Sequence, residues 1–311
     1  MTDLDGGKPR SIMCYFYWVH TNNGSQVDLI EVLDSIYKRA PNRRHVKIEE
    51  GFARLNIWQV DQENGYALGK LHRLRTDQET EAARLDRDDS RLVPLDEGEM
   101  PAERLYFVYV REFKVLVLQR SQFAGGASRL QNYIDEMTNE RIFEFSPIIQ
   151  QNAIEKVMSM DRIFETQLKL AVPKGRDPNI KKGDTVYDAV SMAAGFGADE
   201  VTINISRGRT HRSLLMGVKS LVRRTKDRDD VQLRGLTVRG RAHGDLIDTT
   251  INLFEHTLKQ RSSVPYPNSK PPDGLMFRAL LEAYGMNQEE IASLYGIALA
   301  ERGETQGVKL A

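Results

Sequence analysis

Cysteine is almost absent from this 311-residue chain: Cys14 stands alone, which excludes an internal disulfide and a cysteine-built metal centre. It lies beside an aromatic run (Tyr15, Phe16, Tyr17, Trp18), where nothing local would lower a thiol pKa, so a buried, inert thiol is expected. Histidine is scarce too. His20, His45, His72, His211, His243 and His256 show no ligand spacing, and neither a metal nor a cofactor is expected. Long apolar runs are missing: a membrane helix needs about 18 to 20 such residues. The longest candidate, residues 105–118, is broken by Arg111, Glu112 and Lys114. Residues 1–10 are polar, without the apolar stretch of a secretory signal, so the expectation is a soluble, cytoplasmic protein. Net charge is also absent, with 44 basic against 44 acidic residues, so only segregation of charge along the chain can inform. There is no Walker loop, no G-x-G-x-x-G and no G-x-S-x-G; the basic loops Pro173–Arg176 and Lys181–Gly183 lack the phosphate-loop pattern. A non-enzymatic protein is expected.

What is present is ordinary globular composition, 40% hydrophobic and 28% charged. Residues 12–20 form an aromatic strand, and Val27, Leu29, Ile30, Leu33 and Ile36 make a helical stripe. Residues 45–49, 52–60 and 66–74 read as antiparallel strands, the last two joined through Asn64-Gly65. Residues 105–110 and 115–118 read as a second hairpin, and Ser128 as the N-cap of a helix reaching Met137. Residues 76–100, with nine acidic residues against three basic, read as an acidic mobile loop. From residue 162 a β-α-β-α-β-β order follows: strand 166–172, helix 185–194 capped by Asp184, strand 201–205, helix 210–226, and paired strands 231–242 and 246–253. Four prolines mark 261–274 as a linker before two short helices, 275–284 and 288–300. The predicted fold is α+β, with mixed or antiparallel sheets and helices on one face. It has an N-terminal domain (1–161), a second domain (162–260) and a C-terminal helical extension (261–311).

The clearest functional signal is charge segregation between residues 207 and 241, where eleven basic residues face three acidic ones, a local balance of +8. At about 100° per residue, Arg212, Lys219, Arg223 and Lys226 share one helix face, and Leu214, Leu215, Val218, Leu221 and Val222 share another. In the following strand, Leu236 and Val238 are out of phase with Val231 and Leu233, which predicts a bulge at Gly235. That bulge puts Arg234, Arg239 and Arg241 on the polar face. Arg207, Arg209, His211 and Arg212 stand at the helix start, where free N–H groups favour phosphate. Arginine predominates over lysine, the helix has no matching acidic i,i+4 partners, and no recognition helix is evident. The pattern points to sequence-independent contact with the backbone of double-stranded DNA.

Two other motifs stand out. Glu112-Phe113-Lys114 has the E-x-K spacing of metal-dependent nucleases, with Asp96 a possible further carboxylate, but falls at a hairpin tip rather than on a central strand. Residues 285–292 resemble the start of a helix-turn-helix without a following recognition helix, and read instead as a packing helix. The alternatives to DNA binding are thus a defence nuclease and an interaction module whose basic face takes an acidic partner.

The order of elements resembles the RexA-like sensors of the phage lambda exclusion system. The likeness runs over residues 12–253: the aromatic strand 14–19, the helix 29–37, the run 145–149, the strand 166–173, the segment 199–205 leading into Arg207 to Arg212, and 232–253. It implies a homodimeric, non-enzymatic, DNA-binding sensor acting with a RexB-like membrane channel protein to exclude superinfecting phage.

Overall fold

Alternation of apolar and polar side chains in Gly51–Asp61, Met160–Ala171 and Glu200–Ser206, and continuous apolar runs in the central segments Ala102–Val110 and Val115–Gln119, commit these stretches to antiparallel sheet. The structure is a computed structural model that describes residues 10–21, 27–48, 51–76, 81–83, 90–119, 125–172, 185–206, 214, 233–245, 247–264 and 271–301. The elements are β1 (Arg10–Thr21), α1 (Leu29–Tyr37), β2 (His45–Ile48), β3 (Gly51–Asp61), β4 (Tyr66–Arg75), β5 (Glu81–Ala83) and β6 (Ser90–Leu92). There follow β7 (Ala102–Val110), β8 (Val115–Gln119), α2 (Ala127–Thr138), β9 (Phe143–Pro147), α3 (Gln151–Met158), β10 (Met160–Ala171) and α4 (Thr185–Gly195). The chain closes with β11 (Glu200–Ser206), β12 (Leu233–Ala242), β13 (Thr249–Asn252), β14 (Lys259–Val264) and α5 (Asp273–Glu301). The fold is α+β, as the patterning predicts, and both large sheets are antiparallel rather than mixed. No helix among the described residues is long and apolar enough to cross a membrane.

Two compact units divide the chain: Met1–Phe145 with Lys259–Gln288, and Ser146–Leu258 with Glu289–Ala311. In the first, the strand order is β14-β1-β8-β7-β4-β3-β2, with β9 also paired to β1. The predicted Asn64-Gly65 turn joins β3 to β4: Gly65 takes φ +68°, and the Asp61 carboxylate accepts from the Asn64 N–H at 3.0 Å. One sheet face carries Leu55, Leu71, Leu105 and Phe107, and against it pack the stripes of α1 (Leu29, Leu33, Ile36) and α2 (Leu130, Tyr133, Ile134). Each such aliphatic contributes on the order of 2 kcal/mol of burial. Helix α1 begins where Asp28 accepts from the Ile30 N–H at 2.7 Å. Cys14 is fully buried, and burial pushes its thiol up to about 11, so it is inert as expected.

In the second unit, the order is β11-β10-β12-β13. Leu168, Leu236, Val238 and Ile251 meet Ala153 and Val157 of α3 in its core.

Several expectations need correcting. The N-cap of α2 is Gly126, and Ser128 lies inside the helix. Within the acidic stretch 76–100, β5 pairs antiparallel with β6. Residues 261–264, expected in a linker, belong to β14 and pair with β1, because Ser262 and Val264 alternate inward and the prolines follow the strand instead of filling it. The two C-terminal helices are one, α5, running through Gly285 and Gly296; a helical glycine costs about 1 kcal/mol, and apolar positions at helical spacing offset it. Residue 162 falls within β10 instead of at a boundary.

Candidate nucleic-acid interface

In the second unit, register fixes which side chains share the solvent-facing side of the sheet. Asn204, Gln167, Thr237 and Asn252 lie opposite one another across β11, β10, β12 and β13, and so do Ser206, Glu165, Arg239 and Thr250. The Gln167 amide donates to Asn204 Oδ1 at 3.0 Å, and this face is polar throughout those two rows. The predicted bulge is present: Lys169 stands opposite Gly235 and Leu170 opposite Leu233, so Arg234 is the extra residue.

The predicted arginines are nevertheless spread along β12. Arg239 and Arg241 project together from one end of β12, with Arg162 directly opposite Arg241. Arg234 sits towards the other end, 4.0 Å from Glu200. Each of the three has a carboxylate partner. Arg239 meets Glu165 at 3.1 Å and Asp248 at 3.6 Å, while Arg241 donates through Nε to Asp248 at 2.9 Å and lies 5.8 Å from the Phe164 ring centroid. These pairs are more than a third exposed on at least one side, where an ion pair is worth about 0 to 1 kcal/mol and can be exchanged for a phosphate.

Arg207, Arg209, His211, Arg212, Lys219, Arg223 and Lys226 lie outside the described residues. Leu214 is the one described residue among 207–232. It packs against the core of the second unit, as its place on the apolar stripe predicts, and its N–H donates to the Ile163 carbonyl at 3.4 Å. Ile163 stands opposite Gly240, between Arg239 and Arg241 in sequence. The other approach to the stretch is Ser206, in the row with Glu165 and Arg239. Leu214 thus lies on the core side of the sheet end from which Arg239 projects on the opposite side.

The first unit holds a basic cluster that the sequence reading missed. His45, Arg54, His72 and Arg104 lie directly opposite one another across β2, β3, β4 and β7. Lys47 and Phe52 occupy the next row on one side, and Lys70 and Tyr106 the next on the other. Lys70 is buried and meets Asp273 Oδ2 at 2.7 Å; the Tyr106 hydroxyl donates to Asp273 Oδ1 at 2.6 Å, and Arg104 donates to that hydroxyl at 3.3 Å. Burial, followed by the charges of Lys70, Arg104 and Arg54, pushes His72 down to about 4. Burial and the hydrogen bond to Asp273 push the Tyr106 phenol up to about 12. The signal is present in the sequence: basic residues alternate with core residues along β2, β3, β4 and β7, and strand register brings them together.

Glu112 and Lys114 do occupy a hairpin tip, in the turn between β7 and β8, and Lys114 takes φ +51°. Phe113 between them is buried, and Asp96 belongs to a separate turn with Glu99. No group of three or more potential metal ligands occurs among the described residues.

A family model described as a family of unknown function (DUF6731) matches residues 13–286. None of the curated proteins matches the chain.

Proposed function

This chain belongs to the DUF6731 family, whose function is unknown, and from that starting point we propose that it binds double-stranded DNA without regard to sequence. The residues assigned to the contact are the basic ones of 207–228 together with Arg239 and Arg241 of β12. One observation supports this reading above the others. Leu214 is tied to Ile163, which pairs with Gly240, so one residue from within the arginine-rich stretch of the sequence is held beside Arg239 and Arg241. Their guanidinium groups suit bidentate contact with phosphate oxygens, and such contacts hold a duplex without reading it. The protein acts as a sensor rather than a catalyst in this reading. The RexA-like resemblance adds a homodimer, a cytoplasmic setting and a RexB-like membrane channel protein as the partner that receives the signal in phage exclusion.

Fluorescence anisotropy with labelled duplexes of unrelated sequence is the test. Similar affinities are expected for all, falling steeply as salt rises, with no cleavage when magnesium is added. Reversing Arg212, Lys219 and Arg223 together to Glu should abolish binding while circular dichroism stays unchanged. Normal binding by that variant would overturn the assignment of the surface.

A further inference from the structure

The row across β2, β3, β4 and β7 is electrostatically unlike the β12 surface. Arg234, Arg239 and Arg241 each have a carboxylate. Among the described residues, by contrast, Lys47, Arg54 and Arg104 form no ion pair, and the one carboxylate that meets this group is Asp273, engaged by Lys70 and Tyr106. Here Arg54 and Arg104 flank the same residue, His72, from the two neighbouring strands. Among the described residues, Asp273 is thus the one counter-charge to the four cations Lys47, Arg54, Lys70 and Arg104, and an external anion would supply the balance.

The row also has extent and an apolar element. Four adjacent strands at about 4.8 Å spacing spread it over roughly 14 Å, more than one phosphate group can bridge. Beside Arg54 lies Phe52, half-buried, with the His45 ring against it at 5.2 Å and 88°. His45 and Lys47 are exposed. A duplex hides its base faces, whereas a single strand offers them to an aromatic ring while its phosphates follow the cations.

We infer that this face of the first unit binds single-stranded nucleic acid, with Lys47, Arg54 and Arg104 holding phosphates and Phe52 stacking a base. It is separate from the duplex surface of the second unit and does not depend on that reading.

The test is anisotropy of a labelled oligothymidylate of roughly 15 nucleotides with the full chain, against a labelled duplex. In low salt the wild type binds the oligothymidylate, and Arg54→Gln/Arg104→Gln weakens it about tenfold, as does the exposed-edge variant Lys47→Glu. Phe52→Ala weakens it about fivefold or more and leaves duplex binding unchanged. The Arg212, Lys219, Arg223 reversal leaves oligothymidylate binding intact. Lys47→Glu keeps the test meaningful if the double variant fails to fold, because its side chain is exposed. No binding by the wild type overturns the proposal, and so does unaltered binding by folded Lys47→Glu and Phe52→Ala. Equal loss of both nucleic acids in Phe52→Ala overturns the single-strand assignment. Displacement of the oligothymidylate by polyaspartate at equal charge concentration would show a general acidic-partner surface, and would overturn it too.

Discussion

Lys70 Nζ lies 2.7 Å from Asp273 Oδ2, tying the middle of β4 to the first residue of α5. Burial acts to raise the Asp273 carboxyl. Hydrogen bonds from Lys70 and Tyr106, with the charges of Lys70 and Arg104, outweigh that and hold it below its ordinary value. Asp273→Asn leaves a buried ammonium without its counter-charge, and Asp273 is itself about a third exposed. The loss is therefore about 2 kcal/mol, below the range for fully buried pairs. Lys70→Met, which removes the buried charge and keeps the volume, should cost less than about 1 kcal/mol. Urea unfolding of the two variants measures the asymmetry; equal losses would mean that Lys70 is not the costly partner.

Folding stability should carry a pH signature from His72. Its folded-state value of about 4 lies under the ordinary 6.5, so the unfolded chain binds the extra proton throughout that window. Stability is thus full above about pH 6.5, declines as pH falls towards about 4, and is lowered by on the order of 2 kcal/mol in all once partial exposure is allowed for. Urea midpoints for wild type and His72→Gln across this range provide the check. The variant should show a flatter profile, and parallel profiles would remove His72 as the cause.

Much of the first unit was legible because its signals are local. The β3–β4 turn needs only Asn64-Gly65, and α1 needs only its stripe and Asp28. Tertiary pairing was not legible. Residues 261–264 read as the start of a proline-rich linker because four prolines follow and Arg261, Ser262 and Ser263 are polar, yet β1 supplies a partner from the far end of the chain. Gly285 read as a break for the same reason: the packing that carries α5 past it is invisible in a local window. For the site, charge counting along the chain found residues 207–241, where the cations are neighbours in sequence. It missed Lys47, Arg54, Lys70 and Arg104, which become neighbours only through strand register.

Gly69 shows how tightly that register is held. It lies opposite Phe107, and a Cβ built there would run into the Phe107 ring, which is itself fully buried beside Trp58. Gly69→Ala should cost about 3 kcal/mol by overpacking. Adding Phe107→Leu vacates the space, so the double variant should be more stable than the sum of the two single losses implies. Additive losses in urea unfolding would contradict the contact.

Asp248 offers the most direct probe of the duplex surface, because it engages both Arg239 and Arg241 and so competes with any phosphate for them. Asp248→Asn retains the size of the side chain and a hydrogen-bond acceptor while removing the competing charge. If the two arginines meet the duplex, the variant binds DNA about three- to tenfold more tightly at about 0.1 M salt. The plot of log affinity against log salt also becomes steeper, by roughly one to two in slope. Stability should move by less than about 1 kcal/mol, since the pairs are partly exposed. Affinity and slope unchanged from wild type would confine the duplex contact to residues 207–228 and take β12 out of it.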